Sequence, residues 1–201
     1  MARQDREKWD RKYRENPALS KERPPSRWLA EYAAEAAEGS RALDVACGTG
    51  RNTLWLAEHG WRVDAVDISP VALQILRERL EERGLEGRVE IYQADLDALT
   101  PPHPFYDLIV KTNYLDRPLI SDLQKLVRPG GLFVVETYLD HPDNERRDAH
   151  PDFLLQAAEL PLLFADWEIL VYEEYPNDMD EKYRMMKAGI VAKKLKDTSN
   201  P

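Results

Sequence analysis

The chain has 201 residues, 43% of them hydrophobic and 32% charged, a balance typical of one globular domain with a single core. Its net charge of −9 argues against a nucleic-acid partner, because neutralising phosphates requires a basic surface. The lone cysteine, Cys47, excludes an internal disulfide, and we expect neither a secretory signal nor a membrane span. These features predict a cytoplasmic protein.

The N-terminal part of the chain is predicted to be helical. Residues 5–15 favour a charged helix that carries Trp9 and Tyr13 four positions apart on one face. Ser26 is expected to cap a second helix over 28–38. The predicted organisation is a helical segment covering the site, a main domain and a tail, over residues 1–38, 39–195 and 196–201.

Beyond this segment, short β-rich runs alternate with helical ones, which predicts a parallel sheet covered on both faces. The predicted strands cover residues 42–45, 61–66, 88–92, 105–110, 132–137, 167–175 and 183–193. The predicted helices cover residues 52–58, 70–83, 121–127 and 153–159. The turn-rich residues 176–180 join the last two strands, so these strands are expected to form a β-hairpin.

Three polar motifs stand at successive strand ends, where an open parallel sheet binds its ligand. Asp44, Gly48 and Gly50 make a D-x-x-x-G-x-G turn after the first strand, and the glycines let a ligand approach the backbone closely. Asp67 ends the second strand, where an acid accepts hydrogen bonds from ribose hydroxyls. Asp95 follows the third strand. Together they indicate a nucleoside-binding crevice.

The glycine pair also matches part of the dinucleotide fingerprint G-x-G-x-x-G. That fingerprint needs a third small residue at position 53, and the chain has Thr53 there, after Arg51 and Asn52. S-adenosylmethionine has no pyrophosphate and does not require the third glycine. The pattern therefore favours a methyl donor over a nicotinamide cofactor, and an NAD-dependent oxidoreductase is the less favoured alternative.

The order of elements over residues 40–194, together with these motifs, resembles the class I S-adenosylmethionine-dependent methyltransferases. The resemblance implies an α/β Rossmann-like sheet of seven mostly parallel strands, with helices on both faces and a C-terminal antiparallel hairpin. It implies S-adenosylmethionine as the cofactor, with Asp95 near the adenine amino group. Ile68, Leu96 and Lys111 complete the implied cofactor site beside Asp44, Gly48, Gly50 and Asp67.

Simpler interpretations of the same residues stay open. The two glycines also fit an ordinary turn. Asp67 also fits a helix-start residue, and Asp95 also fits a cap for the turn that follows it. Lys111 lies either in the floor of the site or at an exposed strand end.

The resemblance is sharper in two segments. Trp9-Asp10-x-x-Tyr13 and the aromatic-rich stretch from 153 to 174 are similar to the tellurite-resistance-type and thiopurine-type methyltransferases. The first group usually follows that stretch with a His-Arg pair that faces the substrate, and residues 175–178 contain neither. An oxyanion acceptor such as tellurite is therefore not expected.

The predicted function is in-line methyl transfer to a small-molecule acceptor, and the alternative is a non-catalytic S-adenosylmethionine sensor. Because the sulfonium donor is already electrophilic, positioning supplies most of the catalysis and no catalytic motif is required. Candidates for an acceptor-side base are His141, His150 and Tyr114, and candidates for substrate contacts are Trp9, Tyr13, Arg146 and Arg147. No metal is predicted, since the spacing of His141, Asp143, His150 and Asp152 matches no ligand pattern.

Overall fold

The protein is described here by a computed structural model, which covers residues 2–33, 37, 39–99, 101, 103–146, 150–177 and 183–196. A seven-stranded sheet has the strand order β3-β2-β1-β4-β5-β7-β6. Its strands are β1 (Arg41–Val45), β2 (Arg62–Asp67), β3 (Val89–Gln93), β4 (Tyr106–Thr112), β5 (Val127–Tyr138), β6 (Glu168–Pro176) and β7 (Met186–Lys193). The helices are α1 (Ala2–Glu15), α2 (Pro17–Ser20), α3 (Arg27–Tyr32), α4 (Arg51–Glu58), α5 (Pro70–Arg83), α6 (Arg117–Leu126) and α7 (Glu159–Leu163).

Strand direction decides which residues meet at one edge of the sheet. The β1–β2, β1–β4, β2–β3 and β4–β5 pairs are parallel, whereas β7 runs antiparallel to both β5 and β6. The carboxyl ends of β1 to β6 and the amino end of β7 therefore lie at the same edge. This arrangement confirms the predicted α/β fold class and the C-terminal antiparallel hairpin.

Helices bury apolar side chains on both faces of the sheet. On one face α3, α4 and α5 contribute Trp28, Leu56 and Leu76 to a core cluster. On the other face α6 contributes Ile120 and α7 contributes Leu160 to a second cluster. Fully burying a large apolar side chain contributes about 1.5–3 kcal/mol, so both layers add to the stability of the sheet.

The helix after β2 begins and ends at the predicted residues. Ser69 caps α5 by accepting a hydrogen bond from the Ala72 N–H at 3.2 Å, and Pro70 occupies the first turn, where its missing N–H has no helical partner to lose. Gly84 ends the helix in the left-handed conformation, with a φ of +64°. These cap residues define the helix from the sequence alone.

Two predicted helices start elsewhere in the structure. The helix expected from 121 begins at Arg117, because Asp116 accepts a hydrogen bond from the Leu119 N–H at 2.8 Å and caps it. The helix expected over 153–159 is wrong. Leu155 bridges to Leu139 and Ala158 takes a left-handed φ of +58°, so α7 begins only at the following residue.

Other boundaries differ at the ends of elements. The α3 helix begins at Arg27 and ends at Tyr32, so the predicted extension to residue 38 is wrong over the residues that are described. The β5 strand begins at Val127, five positions before the predicted start, and β7 begins at Met186 instead of 183. No helix in the described ranges is long and apolar enough to cross a membrane.

Candidate functional site

The loop between β1 and α4 has the backbone shape that its glycines allow. Gly48 and Gly50 have positive φ angles of +56° and +88°, and Gly50 is the N-cap of α4. A Cβ on Gly48 would lie 2.7 Å from the hydroxyl of Tyr13, and a Cβ on Gly50 would collide with Leu76. Larger residues are therefore excluded at both positions by conformation and by space.

Asp67 connects this loop to the end of β2. Its carboxylate accepts hydrogen bonds from the backbone N–H of Gly48 at 2.8 Å and from that of Ser69 at 2.9 Å. Burial raises the pKa of Asp67, and these backbone hydrogen bonds oppose the rise. Each carboxylate oxygen accepts more than one hydrogen bond, so Asp67 keeps capacity for a ligand's hydroxyl groups.

Asp44 is buried at the end of β1, next to the first turn of α4. The Thr53 hydroxyl donates to Asp44 Oδ2 at 2.6 Å. The other oxygen, Oδ1, is buried and has no hydrogen-bond partner among the described residues. Burial raises the pKa of Asp44 to about 7. A buried carboxylate oxygen without a partner is costly, which fits a ligand that donates a hydrogen bond there.

The first turn of α4 contacts three adjacent strand ends. Consecutive residues of this turn point to β5, β4 and β1 in that order. The pairs are Arg51 with Glu136 at 3.4 Å, Asn52 with Thr112 at 3.1 Å, and Thr53 with Asp44 at 2.6 Å. Thr53, which breaks the dinucleotide fingerprint, and the two residues before it therefore connect α4 to three strand ends around the glycine loop.

The α1 helix lies over the crevice. Asp10 is buried and accepts a hydrogen bond from the Ser69 hydroxyl at 2.6 Å. The Tyr13 phenol lies near Asp67, at the end of the second strand. Burial and the Asp67 carboxylate both raise the pKa of this phenol. The Trp9 ring lies 6.1 Å from that of Tyr13 and faces the ammonium group of Lys12 at 4.2 Å.

The predicted adenine-side residues follow β2 and β3. Asp95 accepts a hydrogen bond from the Asp97 N–H at 3.2 Å and caps a 3-10 turn, as its simpler interpretation expected. Leu96 is buried in that turn, and Ile68 follows Asp67 directly. The Tyr114 phenol lies near this region. Burial raises its pKa to about 12, and the carboxylates of Asp116, Asp97 and Asp95 add to the rise.

Lys111 is fully buried, so its interpretation as an exposed strand end is wrong. Its ammonium group donates to the backbone carbonyl of Tyr114 and lies 5.0 Å from that ring. Burial lowers the pKa of Lys111 to about 7, and the carboxylate of Asp116 opposes this shift.

The acceptor-side candidates after β5 have local partners. His141 accepts a hydrogen bond from the Asp143 N–H at 3.1 Å, and His150 one from the Asp152 N–H at 3.4 Å. Both histidines thus cap turns, and their role as bases stays a prediction. Arg146 lies close enough to Lys12 to lower the pKa of that lysine, whose shift comes first from burial. Arg147 lies outside the described residues.

Sequence reasoning missed a buried polar cluster at the end of β5. Glu136 is 5% exposed, accepts a hydrogen bond from the Ser26 hydroxyl at 2.6 Å, and lies 3.4 Å from Arg51 and 3.7 Å from Lys187. Tyr175 is packed next to it, and its buried hydroxyl lies near both the Glu136 carboxylate and the Trp28 indole. A charged residue inside a hydrophobic strand was the available signal.

A second group of acids is neutralised within the protein. Asp64, Glu90 and His103 lie close enough together to hold a metal ion. However, Arg41 donates to Asp64 at 2.6 Å, and the Tyr106 hydroxyl donates to it at 2.8 Å. Because a guanidinium group already balances this buried carboxylate, the cluster is explained without a metal.

Comparisons with known proteins agree with this geometry. Residues 42–131 match a family model described as a methyltransferase domain. A trans-aconitate 2-methyltransferase from Paracidovorax citrulli is 32% identical over 160 residues, covering 73% of this chain and 57% of that protein. Residues 42–131 thus carry a methyltransferase domain, on a fold shared with solved S-adenosylmethionine-dependent methyltransferases.

Solved structures share the fold of this methyltransferase domain. TehB from Haemophilus influenzae has a TM-score of 0.67 and 24% identity, over 83% of this chain and 65% of that one. A Burkholderia thailandensis 1,6-didemethyltoxoflavin-N1-methyltransferase with bound S-adenosylhomocysteine has a TM-score of 0.62 and 19% identity, over 90% and 77%. At these identities the likeness concerns the fold alone.

The chain spans only part of the curated methyltransferases it matches. It spans 57% of the Paracidovorax protein and 30% of a ribosomal RNA small subunit methyltransferase C from Alcanivorax borkumensis, with which it is 34% identical over 46% of its own length. The family model covers residues 42–131, which include the glycine loop and the strands β1 to β4.

Proposed function

We propose that the protein transfers the methyl group of S-adenosylmethionine to a small-molecule acceptor. One contact carries the proposal. The Gly48 N–H donates to the Asp67 carboxylate at 2.8 Å, so the glycine loop and the acid of the second strand form a single crevice. A crevice at adjoining strand ends of an open parallel sheet is the expected place for a nucleoside ligand.

The residues of the crevice fit the parts of the methyl donor. The Asp67 carboxylate would accept hydrogen bonds from the ribose hydroxyls, and Asp95, with Leu96 and Ile68 beside it, would contact the adenine. The unpartnered Oδ1 of Asp44 would accept from the α-ammonium group. The Tyr13 hydroxyl lies against Gly48, where a Cβ would be, so the donor would lie next to both residues.

The chemistry requires little from the side chains. When bound, the sulfonium group of the donor supplies the electrophilic methyl. The protein's part is to orient the acceptor in line with that methyl and to exclude water. The α1 helix would exclude water, since its Asp10 contacts Ser69 and its Tyr13 lies against Gly48 at the crevice. Trp9 would extend this cover as a substrate-side wall.

We assign the acceptor side to the cluster around Glu136. It lies at the carboxyl end of β5, beside the β4 end and away from the adenine-side strands. Its carboxylate is held by the Ser26 hydroxyl, and the buried Tyr175 hydroxyl would add a second polar group next to it. A compact buried site of this kind suits a small molecule, and the net charge of −9 does not suit RNA.

Two measurements on the purified protein test the proposal. Calorimetry with S-adenosylmethionine, S-adenosylhomocysteine and NAD is expected to show binding of the first two alone. Product assays with panels of small carboxylic acids, phenols, thiols and amines are expected to yield S-adenosylhomocysteine above background. Donor binding without product on any panel would favour the sensor alternative, and NAD binding would favour an oxidoreductase.

A further inference from the structure

We propose that Thr53 is a positioning residue: its hydroxyl holds the Asp44 carboxylate ionised and turned so that the opposite oxygen binds the α-ammonium group of the methyl donor. The inference rests on the proposed function, because it concerns how the same crevice binds the donor. Thr53 was noticed in the sequence only as the residue that breaks the dinucleotide fingerprint.

The contact between the two residues is direct and fully enclosed. Thr53 is 0% exposed, Asp44 is 1% exposed, and the hydroxyl oxygen lies 2.6 Å from Asp44 Oδ2. Thr53 lies in the first turn of α4, where no preceding helical turn offers its hydroxyl a carbonyl group. Here the hydroxyl donates to a strand residue instead, which fixes the rotation of the carboxylate.

The second carboxylate oxygen of Asp44, Oδ1, is the atom that would bind the ligand. Oδ1 is buried and lacks a hydrogen-bond partner within the described part of the chain. Leaving such an oxygen unpaired costs about 1–3 kcal/mol, and more when the group is charged. A donor with a positive charge would offset that cost, and the α-ammonium group is the cationic hydrogen-bond donor on S-adenosylmethionine.

The charges around Asp44 leave its ionisation finely balanced. Burial raises its pKa to about 7, while the Thr53 hydroxyl and the Arg51 guanidinium oppose the rise and the Asp67 carboxylate adds to it. The adjacent Cys47 thiol adds no charge at neutral pH, since burial raises its pKa. The Thr53 hydroxyl is the first of the groups that oppose the rise, so it favours the ionised form of Asp44 near pH 7.

The test is donor affinity as a function of pH, measured by calorimetry with S-adenosylmethionine from about pH 5.5 to about pH 9. In the natural protein, affinity is expected to rise through about pH 7 as Asp44 ionises. It is expected to fall near about pH 8, where an α-amino group loses its proton. Thr53→Val keeps the side-chain shape and removes the hydroxyl that donates to Asp44. The rising limb of the plot of affinity against pH should then move to higher pH, and affinity for S-adenosylmethionine at pH 7 should drop about tenfold.

Two further variants complete the test. Thr53→Ser restores the hydroxyl and is expected to return the rising limb to its original pH. Asp44→Asn removes the ionisable group, so the rising limb disappears while the falling limb stays. Thermal unfolding of each variant with and without the donor separates loss of folding from loss of binding.

The outcomes distinguish this inference from the function it rests on. If the natural protein does not bind S-adenosylmethionine at any pH, the proposed function is overturned and the inference with it. If the natural protein binds but Thr53→Val keeps the same profile, Thr53 does not position Asp44. A rising limb that persists in Asp44→Asn overturns the inference even if Thr53→Val fails to fold.

Discussion

Asp10 of α1 accepts a hydrogen bond from the Ser69 hydroxyl at 2.6 Å, and Ser69 caps α5 by accepting from the Ala72 N–H. A residue of the N-terminal segment is thereby joined to α5, the helix that starts directly after β2. The α1 helix and the crevice share one chain of hydrogen bonds. A substitution in α1 is therefore expected to affect the crevice, and a substitution in the crevice is expected to affect α1.

Removing this link should loosen α1. For Asp10→Ala we expect faster amide hydrogen exchange over residues 4–15 and a loss of about 1–2 kcal/mol in the free energy of unfolding, because a hydrogen bond to a charged group is lost. Arg11→Ala, an exposed position on the same helix, is the matched control. Unchanged exchange in Asp10→Ala would show that the contact does not hold the helix.

Asp67 is expected to be the main anchor of the ribose. Asp67→Asn replaces a charged acceptor by an amide, so affinity for S-adenosylmethionine should fall by about 1.5–3 kcal/mol, which is roughly 10- to 150-fold. Calorimetry measures the loss, and Asp122→Asn, at an exposed carboxylate in α6, serves as the control. Equal affinity in a folded Asp67→Asn variant would refute the ribose assignment.

Glu136 is expected to act on the acceptor and not on the donor. With an acceptor identified from the panels, Glu136→Gln should raise its KM about tenfold, because a charged hydrogen-bond acceptor becomes neutral, while the Kd for S-adenosylmethionine stays within about twofold. Glu168→Gln, at an exposed position of β6, is the matched control. A parallel loss of donor affinity would place Glu136 on the donor side instead.

Lys111 gives a pH dependence of stability with a definite sign. Its pKa is 10.5 in the unfolded chain and about 7 in the folded protein, where burial disfavours the ammonium group. Between these two pH values the folded state binds fewer protons than the unfolded state, so the free energy of unfolding rises with pH. The destabilisation caused by Lys111 is therefore largest below about pH 7 and disappears as pH rises to about 10.5.

Lys111→Met should therefore stabilise the protein by about 1–4 kcal/mol near pH 6, as replacing a buried charge by an apolar side chain often does. The gain should shrink steadily towards pH 10. Denaturant unfolding at several pH values checks this, with the exposed Lys125→Met as control. A gain that is independent of pH would mean that the pKa of Lys111 is the same in the folded and the unfolded chain.

Cap residues and strand-end motifs are local signals, and they predicted their elements well. Ser69 and Pro70 gave the start of α5, and the glycine loop gave the turn before α4. The helix expected over 153–159 failed for a different reason. Local propensity favoured a helix there, but pairing of Leu155 with Leu139 and the left-handed Ala158 override it in the folded chain.

By itself, the sequence determined the order of strands and helices, the glycine loop and the acids that end β1 and β2, because periodicity, caps and turn residues act over a few positions. Only the tertiary structure decided the partners of the buried polar groups. Thr53 meets Asp44 and Ser26 meets Glu136 across 9 and 110 positions of the chain. The first pair depends on how the glycine loop packs α4 against β1, and the second forms only because folding brings α3 to the end of β5. No local pattern in the sequence encodes either contact.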